Sequence, residues 1–322
     1  MEYRNLGRSG LKVSVVGIGS WLTFGSSVGE DVTRQCVRTA LEAGVNFIDT
    51  ADIYNYGEAE SVLGRVLADV PRKSYVLATK LFWPMSEVVT DRGLSRKHVM
   101  ESCDASLRRL GTDYIDLYQC HRYDAETPVE ETVRAMSDLV RQGKILYWGV
   151  SFWSAGQIME AIAAARTWKD YLPISNQPPY NLLNRHIEME ILPMCEREGL
   201  GQVVFSPLEQ GLLTGKYAGG KIPEGTRLAD QKRNVFMRDK ATRDVLQRVD
   251  RLVGLAQGVG ATAAQVALAW CLRRWSVASV IVGATRPEQV VENVKAAELK
   301  LSPEMFQYLE ELFPGMPAPV GM

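Results

Sequence analysis

The sequence predicts an α/β protein: a closed (β/α)8 TIM barrel, with an N-terminal β-hairpin ahead of it and a long insertion between the seventh and eighth barrel strands. Three observations predict it. Short apolar runs recur without strict alternation, as in parallel strands covered on both faces. Segments with helical spacing separate these runs. The polar residues that end them, Asp49, Lys80, His121, Ser151, Gln177 and Ser206, follow at intervals near the roughly thirty residues of one βα unit in a barrel of about 250.

Taken in order, residues 2 to 13 read as two extended pieces around Gly7-Arg-Ser-Gly10, a hairpin. The eight strand candidates are Val15 to Gly19, Val45 to Asp49, Tyr75 to Lys80, Tyr114 to His121, Ile145 to Ser151, Pro173 to Gln177, Gln202 to Ser206 and Ala278 to Gly283. Helical spacing covers Asp31 to Ala43, Glu58 to Asp69, Ser95 to Leu110, Pro128 to Gln142, Ala155 to Arg166, Ile187 to Glu198 and Pro287 to Ala297. Thr127 before Pro128, with Glu130 and Glu131 in the first turn, reads as a capped helix start. Gly44, Gly111, Gly143 and Gly199 each follow a helical run and can supply a left-handed C-terminal residue. Strands alternating with helices imply right-handed crossovers and a parallel sheet. Residues 207 to 276 are too long for a simple connection. They hold a charged loop, Lys216 to Lys240, and two helical runs, Ala241 to Gln257 and Thr262 to Arg274.

Composition bounds the function. Of the 322 residues, 46% are hydrophobic, enough for a sizeable core, and no linker or low-complexity segment divides the chain, which is read as a single domain over residues 1–322. Lys plus Arg number 37 against 38 Asp plus Glu, a balance that offers no field for nucleic acid or an anionic membrane surface. The five cysteines are scattered, with neither metal-knuckle nor redox spacing. The N-terminus lacks an apolar leader and no run approaches the roughly 18 apolar residues of a membrane span. These features predict a cytoplasmic protein that does not insert directly into a membrane.

Barrel catalysts stand at the C-terminal ends of the strands. There Asp49-Thr-Ala-Asp-Ile-Tyr54 offers two carboxylates and a phenol, and Lys80 and His121 end the next two strands. A phenol with a pKa near 10 is a poor acid at neutral pH, but an adjacent ammonium stabilises its phenolate and lowers that pKa. Lys80, held by Asp49, fills that role, so Tyr54 becomes a general acid for an alkoxide and His121 orients a carbonyl. Asp52 is left to turn or cap chemistry. With no strong nucleophile and too few ligands for a metal, the set points to carbonyl reduction by a hydride from a dinucleotide. Gly258-Val-Gly-Ala-Thr-Ala263 follows a helix, the wrong context for a dinucleotide fingerprint, and Gly211-Leu-Leu-Thr-Gly-Lys216 is one residue short of a P-loop. Val280 to Asn293 is a better phosphate site: a strand enters a helix through Pro287, with free N–H groups and Arg286.

These residues resemble the aldo-keto reductases, closest to the potassium-channel β-subunit-like branch and its bacterial relatives. The likeness runs from Asn5 to the helix after Arg286. It rests on Asp49-Thr-Ala-Asp-Ile-Tyr54, Gly57-Glu-Ala-Glu60, Ala78-Thr-Lys80, Leu107-Arg-Arg-Leu-Gly-Thr-Asp-Tyr-Ile-Asp-Leu117, Tyr147-Trp-Gly-Val-Ser151, Ser206-Pro-Leu208 and Gly283-Ala-Thr285. The resemblance implies NADPH (NADP+) laid across the strand ends and a tetrad of Asp49, Tyr54, Lys80 and His121. It implies that Ser151 and Gln177 hold the carboxamide, with Asp49, Phe205, Ser20 and Trp21 close to the nicotinamide. Ser206, Leu208 and Gln210 would follow the pyrophosphate. Lys216, Arg227, Gly283, Thr285, Arg286, Gln289, Glu292 and Asn293 would hold the adenosine and its 2′-phosphate.

Three positions depart from the family pattern. Phe152 stands where many relatives have Asn, Phe205 where many have Tyr or Trp, and His121 where channel β subunits commonly have Asn. The implied activity is NADPH-dependent reduction of aldehydes and some ketones. The rival is an NADP(H)-binding accessory subunit with slow turnover, and an isomerase or lyase on the same barrel is a third reading. Besides Tyr54 and His121, Trp21, Trp83 and Trp153 either wall the substrate pocket or pack under loops. His98 and His186 read as surface residues and Cys120 as a buried small one. A small-molecule carbonyl is the expected partner, and relatives in this branch often form homo-oligomers.

Overall fold

The computed structural model describes residues 1–230, 234 and 237–314. An antiparallel hairpin of β1 (Tyr3–Asn5) and β2 (Lys12–Ser14) leads into β3 (Val16–Gly19), the first barrel strand. Alternation then follows: α1 (Glu30–Glu42), β4 (Phe47–Asp49), α2 (Glu58–Leu67), β5 (Val76–Leu81), α3 (Arg96–Leu110), β6 (Ile115–Cys120), α4 (Val129–Arg141) and β7 (Ile145–Ser151). The second half continues with α5 (Ala155–Trp168), β8 (Ser175–Gln177), α6 (Ile191–Glu198), β9 (Gly201–Val204), α7 (Arg243–Gly258), α8 (Ala263–Leu272) and β10 (Val277–Val282). It ends in α9 (Pro287–Val294) and α10 (Pro303–Leu312). Strands β3 to β10 pair in parallel and close as β10-β3-β4-β5-β6-β7-β8-β9, the (β/α)8 barrel the sequence predicts.

The hairpin decides which end of the barrel can work. Leu6 and Val13 lie fully buried with Phe47, Val76, Leu117, Val203 and Ala278, residues at or near the strand beginnings. Burial of each of the Leu, Val and Phe side chains contributes about 1.5–3 kcal/mol. Arg4 ties the hairpin to the carbonyls of Leu272, Arg274 and Val277, and Arg8 N–H donates to Gly199 O at 2.9 Å. The N-terminal mouth is therefore plugged, and the site is left to the C-terminal mouth.

Most helices cover the barrel through one apolar face, and their ends follow local chemistry. Ser154 with Gln157 and Thr262 with Gln265 form capping boxes on α5 and α8, and Ser95, Thr242 and Ser302 cap α3, α7 and α10. Each such cap is worth about 1 kcal/mol. Gly44, Gly111, Gly143 and Gly199 all carry positive φ where their helices end.

Some expectations are corrected. Helix α4 starts one residue late: Pro128 is its N-cap, and the Thr127 hydroxyl donates to Asp124 Oδ2 at 2.7 Å instead of capping. The helical run from Ile187 splits into a 3-10 turn, His186–Glu188, and α6. Of the long insertion, α8 is buried along its whole length and packs on β10 as the crossover helix of the last unit. His98 is 1% exposed, its Nδ1 3.5 Å from Asp91, and His186 is half-buried. Neither is the surface residue its polar neighbours suggest. Residues 303–312, for which the strand and helix pattern gives no signal, form α10. Among the described residues no single helix is long and apolar enough to cross a membrane.

Candidate active site

Three strand ends and one loop assemble the tetrad. Lys80, on β5, has no exposed surface. Its Nζ donates to Asp49 Oδ2 and to the Thr50 carbonyl, both at 2.7 Å, and to the Tyr54 hydroxyl at 3.3 Å. Gln177 Nε2 donates to the other oxygen of Asp49 at 2.8 Å. The aspartate is thus fixed from two sides and aims the ammonium at the phenol. The ring of His121 meets the Tyr54 ring edge-on, with centroids 5.8 Å apart. Its Nδ1 is buried and has no partner among the described residues.

Tyr54 reaches Lys80 because its loop turns sharply. Asn55, Tyr56 and Gly57 all have positive φ, at 50°, 50° and 87°, a run that is costly for side-chain-bearing residues and is held by its surroundings. Asn55 Nδ2 donates to Gly25 O, and a Cβ on Gly57 would lie 2.7 Å from Arg109 Cδ. Beneath the loop lies a buried polar cluster. Asp52 accepts from Ile53 N–H at 2.6 Å and from Ser102 Oγ at 3.2 Å, while Glu60 accepts from Thr79 Oγ1 at 2.5 Å and Arg109 Nε at 2.6 Å. Asp52 takes part in the turn, as the sequence suggests, and is fully buried there. Burial, reinforced by the neighbouring Glu60 charge, pushes its carboxyl up to about 8.

The ionisations differ from the simple expectation in one respect. Burial pushes the Tyr54 hydroxyl above the ordinary phenol value; Lys80 pulls it down but does not win, and Asp49 adds to the rise. The phenol therefore stays protonated in the resting site, while the Lys80 charge would favour a phenolate there. For Lys80 burial works against the charge, yet Asp49 and Tyr54 hold it above the ordinary lysine value. Burial, followed by the Lys80 and Arg122 charges, holds His121 well below the ordinary imidazole value, so its ring is neutral.

Around the tetrad, Ser20 Oγ donates to Thr50 Oγ1 at 2.8 Å and its N–H to Asp49 O at 3.0 Å, joining the ends of β3 and β4. Ser151 Oγ donates to the Gln177 carbonyl at 2.8 Å. Trp21 is half-buried. Trp83 is 36% exposed, with its ring 6.4 Å from His121. Trp153 is 2% exposed and packs edge-on against Tyr123 at 4.9 Å. It belongs to the core beneath the loops and does not wall an open pocket, the packing alternative having prevailed. Phe205 is half-buried, 5.1 Å from Phe152.

Beyond β9 the chain follows an irregular path: Ser206, Glu209 and Gln210 take φ of 50°, 43° and 54°. Asn181 holds this turn through Ser206 O and Glu209 Oε2, each at 2.9 Å, and Lys240 also pairs with Glu209 at 2.9 Å. Leu208 and Gln210 are half-buried, and Gln210 Oε1 has no partner among the described residues. Lys216 folds back so that a Cβ on Gly211 would sit 2.5 Å from its Nζ, while Arg227 is half-buried further along the insertion. After β10, Gly283, Thr285 and Arg286 are exposed ahead of α9, whose first residue is Pro287. Gln289 Oε1 accepts from Thr285 N–H at 2.8 Å, Glu292 is half-buried and Asn293 is buried.

Sequence reasoning passes over two contributors. The Thr50 carbonyl is a ligand of Lys80 that no side-chain pattern reveals. Arg122 stands beside His121, and its only sequence signal is a cation immediately after the strand end that carries His121.

Comparison with known proteins agrees with this geometry. The Aldo/keto reductase family profile matches residues 15–313. A probable voltage-gated potassium channel subunit beta of Oryza sativa subsp. japonica is 44% identical over 98% of this chain and 98% of that protein. One of the same description from Arabidopsis thaliana is 42% identical, with the same coverage. A putative voltage-gated potassium channel subunit beta of Schizosaccharomyces pombe is 42% identical over 97% of this chain and 93% of that protein. With the barrel, the family profile and these relatives in agreement, the chain belongs to the aldo/keto reductase family.

Proposed function

We propose that the protein reduces aldehydes and some ketones to alcohols with NADPH, and that Tyr54 is the acid. The observation that carries this reading is the buried Lys80 ammonium shared between Asp49 at 2.7 Å and the Tyr54 hydroxyl at 3.3 Å. Tyr54 and the neutral His121 orient the carbonyl oxygen. As negative charge grows there, Tyr54 gives up its proton and the phenolate is stabilised by Lys80. Asp49 keeps Lys80 charged and aimed throughout.

The residues fit a nicotinamide dinucleotide. Gln177 spends one side-chain N–H on Asp49 and keeps the other and its side-chain oxygen Oε1 for a carboxamide, with Ser151 alongside. Phe205 offers an apolar face, Gln210 Oε1, without a partner among the described residues, a polar one, and the exposed stretch at Gly283, Thr285 and Arg286 a phosphate seat with Asn293 behind it. Lys216, Arg227 and Arg286 are the cations that favour a 2′-phosphate. When bound, the reduced cofactor supplies the hydride to the carbonyl carbon. Five buried cysteines with no disulfide among the described residues suit a reducing compartment, so we place the protein in the cytoplasm.

The names of the relatives support a second reading, an accessory subunit of a channel, in which the same site binds NADP(H) with slow or vestigial turnover. NADPH oxidation with a panel of aldehydes separates the two. Tyr54→Phe is expected to lose about 10²–10⁴ in kcat. Equal rates for variant and wild type would eliminate Tyr54 as the acid. Binding of NADPH without turnover of any carbonyl would favour the accessory subunit, and no nicotinamide fluorescence change on titration would favour an isomerase or lyase.

A further inference from the structure

Half-buried arginines in this protein usually face carboxylates. Arg72 lies 2.5 Å from Asp116, Arg109 2.6 Å from Glu60 and Arg273 2.8 Å from Glu188. Arg122 differs. Among the described residues it forms no ion pair, although a partly desolvated guanidinium is costly without one. Its Nη1 donates to the His121 carbonyl at 2.7 Å. Its charged carbon sits 3.8 Å from the centroid of Phe152 and 5.4 Å from that of Trp83. These aromatic faces hold the fork in place while leaving most of its N–H groups unspent. Burial lowers the Arg122 pKa and Tyr54 opposes that shift, which places the cation within electrostatic reach of the proposed acid.

We propose that Arg122 is a specificity-determining residue that selects carbonyl substrates carrying a carboxylate, which it binds while Tyr54 and His121 take the carbonyl oxygen. A carboxylate matches the planar fork and completes an ion pair that the fold withholds. The inference rests on the reductase reading.

The test compares matched pairs, butanal with 4-oxobutanoate and benzaldehyde with 4-carboxybenzaldehyde, using NADPH and the full chain as wild type, Arg122→Met and Arg122→Lys. Wild type is expected to favour the carboxylated member of each pair. In Arg122→Met the ratio of kcat/KM, carboxylated over neutral, is expected to fall about 10–100-fold, the worth of a charged hydrogen bond, chiefly through KM. Arg122→Lys should recover part of it. High salt should shrink the wild-type ratio and leave that of Arg122→Met nearly unchanged. A ratio unaltered by Arg122→Met, including an equal loss on both members, would overturn the proposal and leave reduction itself intact. Failure to turn over either member would remove the reductase reading as well.

Discussion

Replacing Lys80 by Met tests the centre of the proposed chemistry. The substitution keeps an unbranched apolar stem and removes one charge and three hydrogen bonds. At 3.3 Å from the Tyr54 oxygen, an ammonium interacts with a phenolate by about 5 kcal/mol at an effective dielectric near 20. The neutral phenol of the resting site gains far less, so most of that energy belongs to the transition state. The expected loss in kcat is roughly three to four orders of magnitude. Stability also falls, because Asp49 at 4% exposure would keep Gln177 but lose its counter-charge, at a cost of about 3–5 kcal/mol. Adding Asp49→Asn removes the stranded charge and should restore much of the melting temperature but none of the rate. Steady-state kinetics with one aldehyde, thermal melts and a double-mutant cycle with Tyr54→Phe measure these effects. Once the phenol is gone, Lys80→Met should slow the reaction by less than about threefold. A Lys80→Met enzyme within tenfold of wild type, or losses that multiply in the double variant, would refute the coupling.

Other outcomes follow from the ionisations. Burial and the Lys80 and Arg122 charges hold His121 well below 6.5, so its neutral form persists as pH falls through 6.5. Burial holds Tyr54 above 10, so its proton remains as pH rises through 9. The kcat/KM profile for reduction should thus be flat from about pH 6.5 to 9, and a limb near 6.5 that disappears in His121→Asn would contradict a neutral imidazole. Asp52, with its carboxyl raised to about 8 against about 3.9 unfolded, binds more protons folded than unfolded between those values. The stability it contributes is present below about pH 4 and is lost as pH rises to about 8. Asp52→Asn should gain on wild type by up to ~1.4 kcal/mol per pH unit between pH 5 and 7 in urea melts, and parallel stability curves would exclude this assignment.

Much of the molecule is legible in one dimension. Eight apolar runs at barrel spacing define the strands because a strand covered on both faces must be apolar along its length. Their polar last residues, Asp49, Lys80 and His121, stand out for the same reason: a charged or polar group on such a strand has to be explained. Helix α10 escapes because its exposed face leaves only Leu309 and Leu312 fully covered, too weak a period to mark it. His98 is misjudged because burial is set by what packs over a residue, and its polar neighbours in the chain do not show that.

The sequence by itself determined the barrel and marked the four polar residues that the structure brings together at its C-terminal mouth, because strand periodicity and residue type are local properties. Only the tertiary structure decided the rest. It supplied the Thr50 carbonyl to Lys80, turned Tyr54 back through three left-handed residues, assigned Trp153 to the core and set Arg122 over Phe152 and Trp83 with no carboxylate partner among the described residues. It also reversed the direction of the Tyr54 shift. A lysine beside a tyrosine is visible in the chain, but the low dielectric in which they meet is made by every element that closes over them.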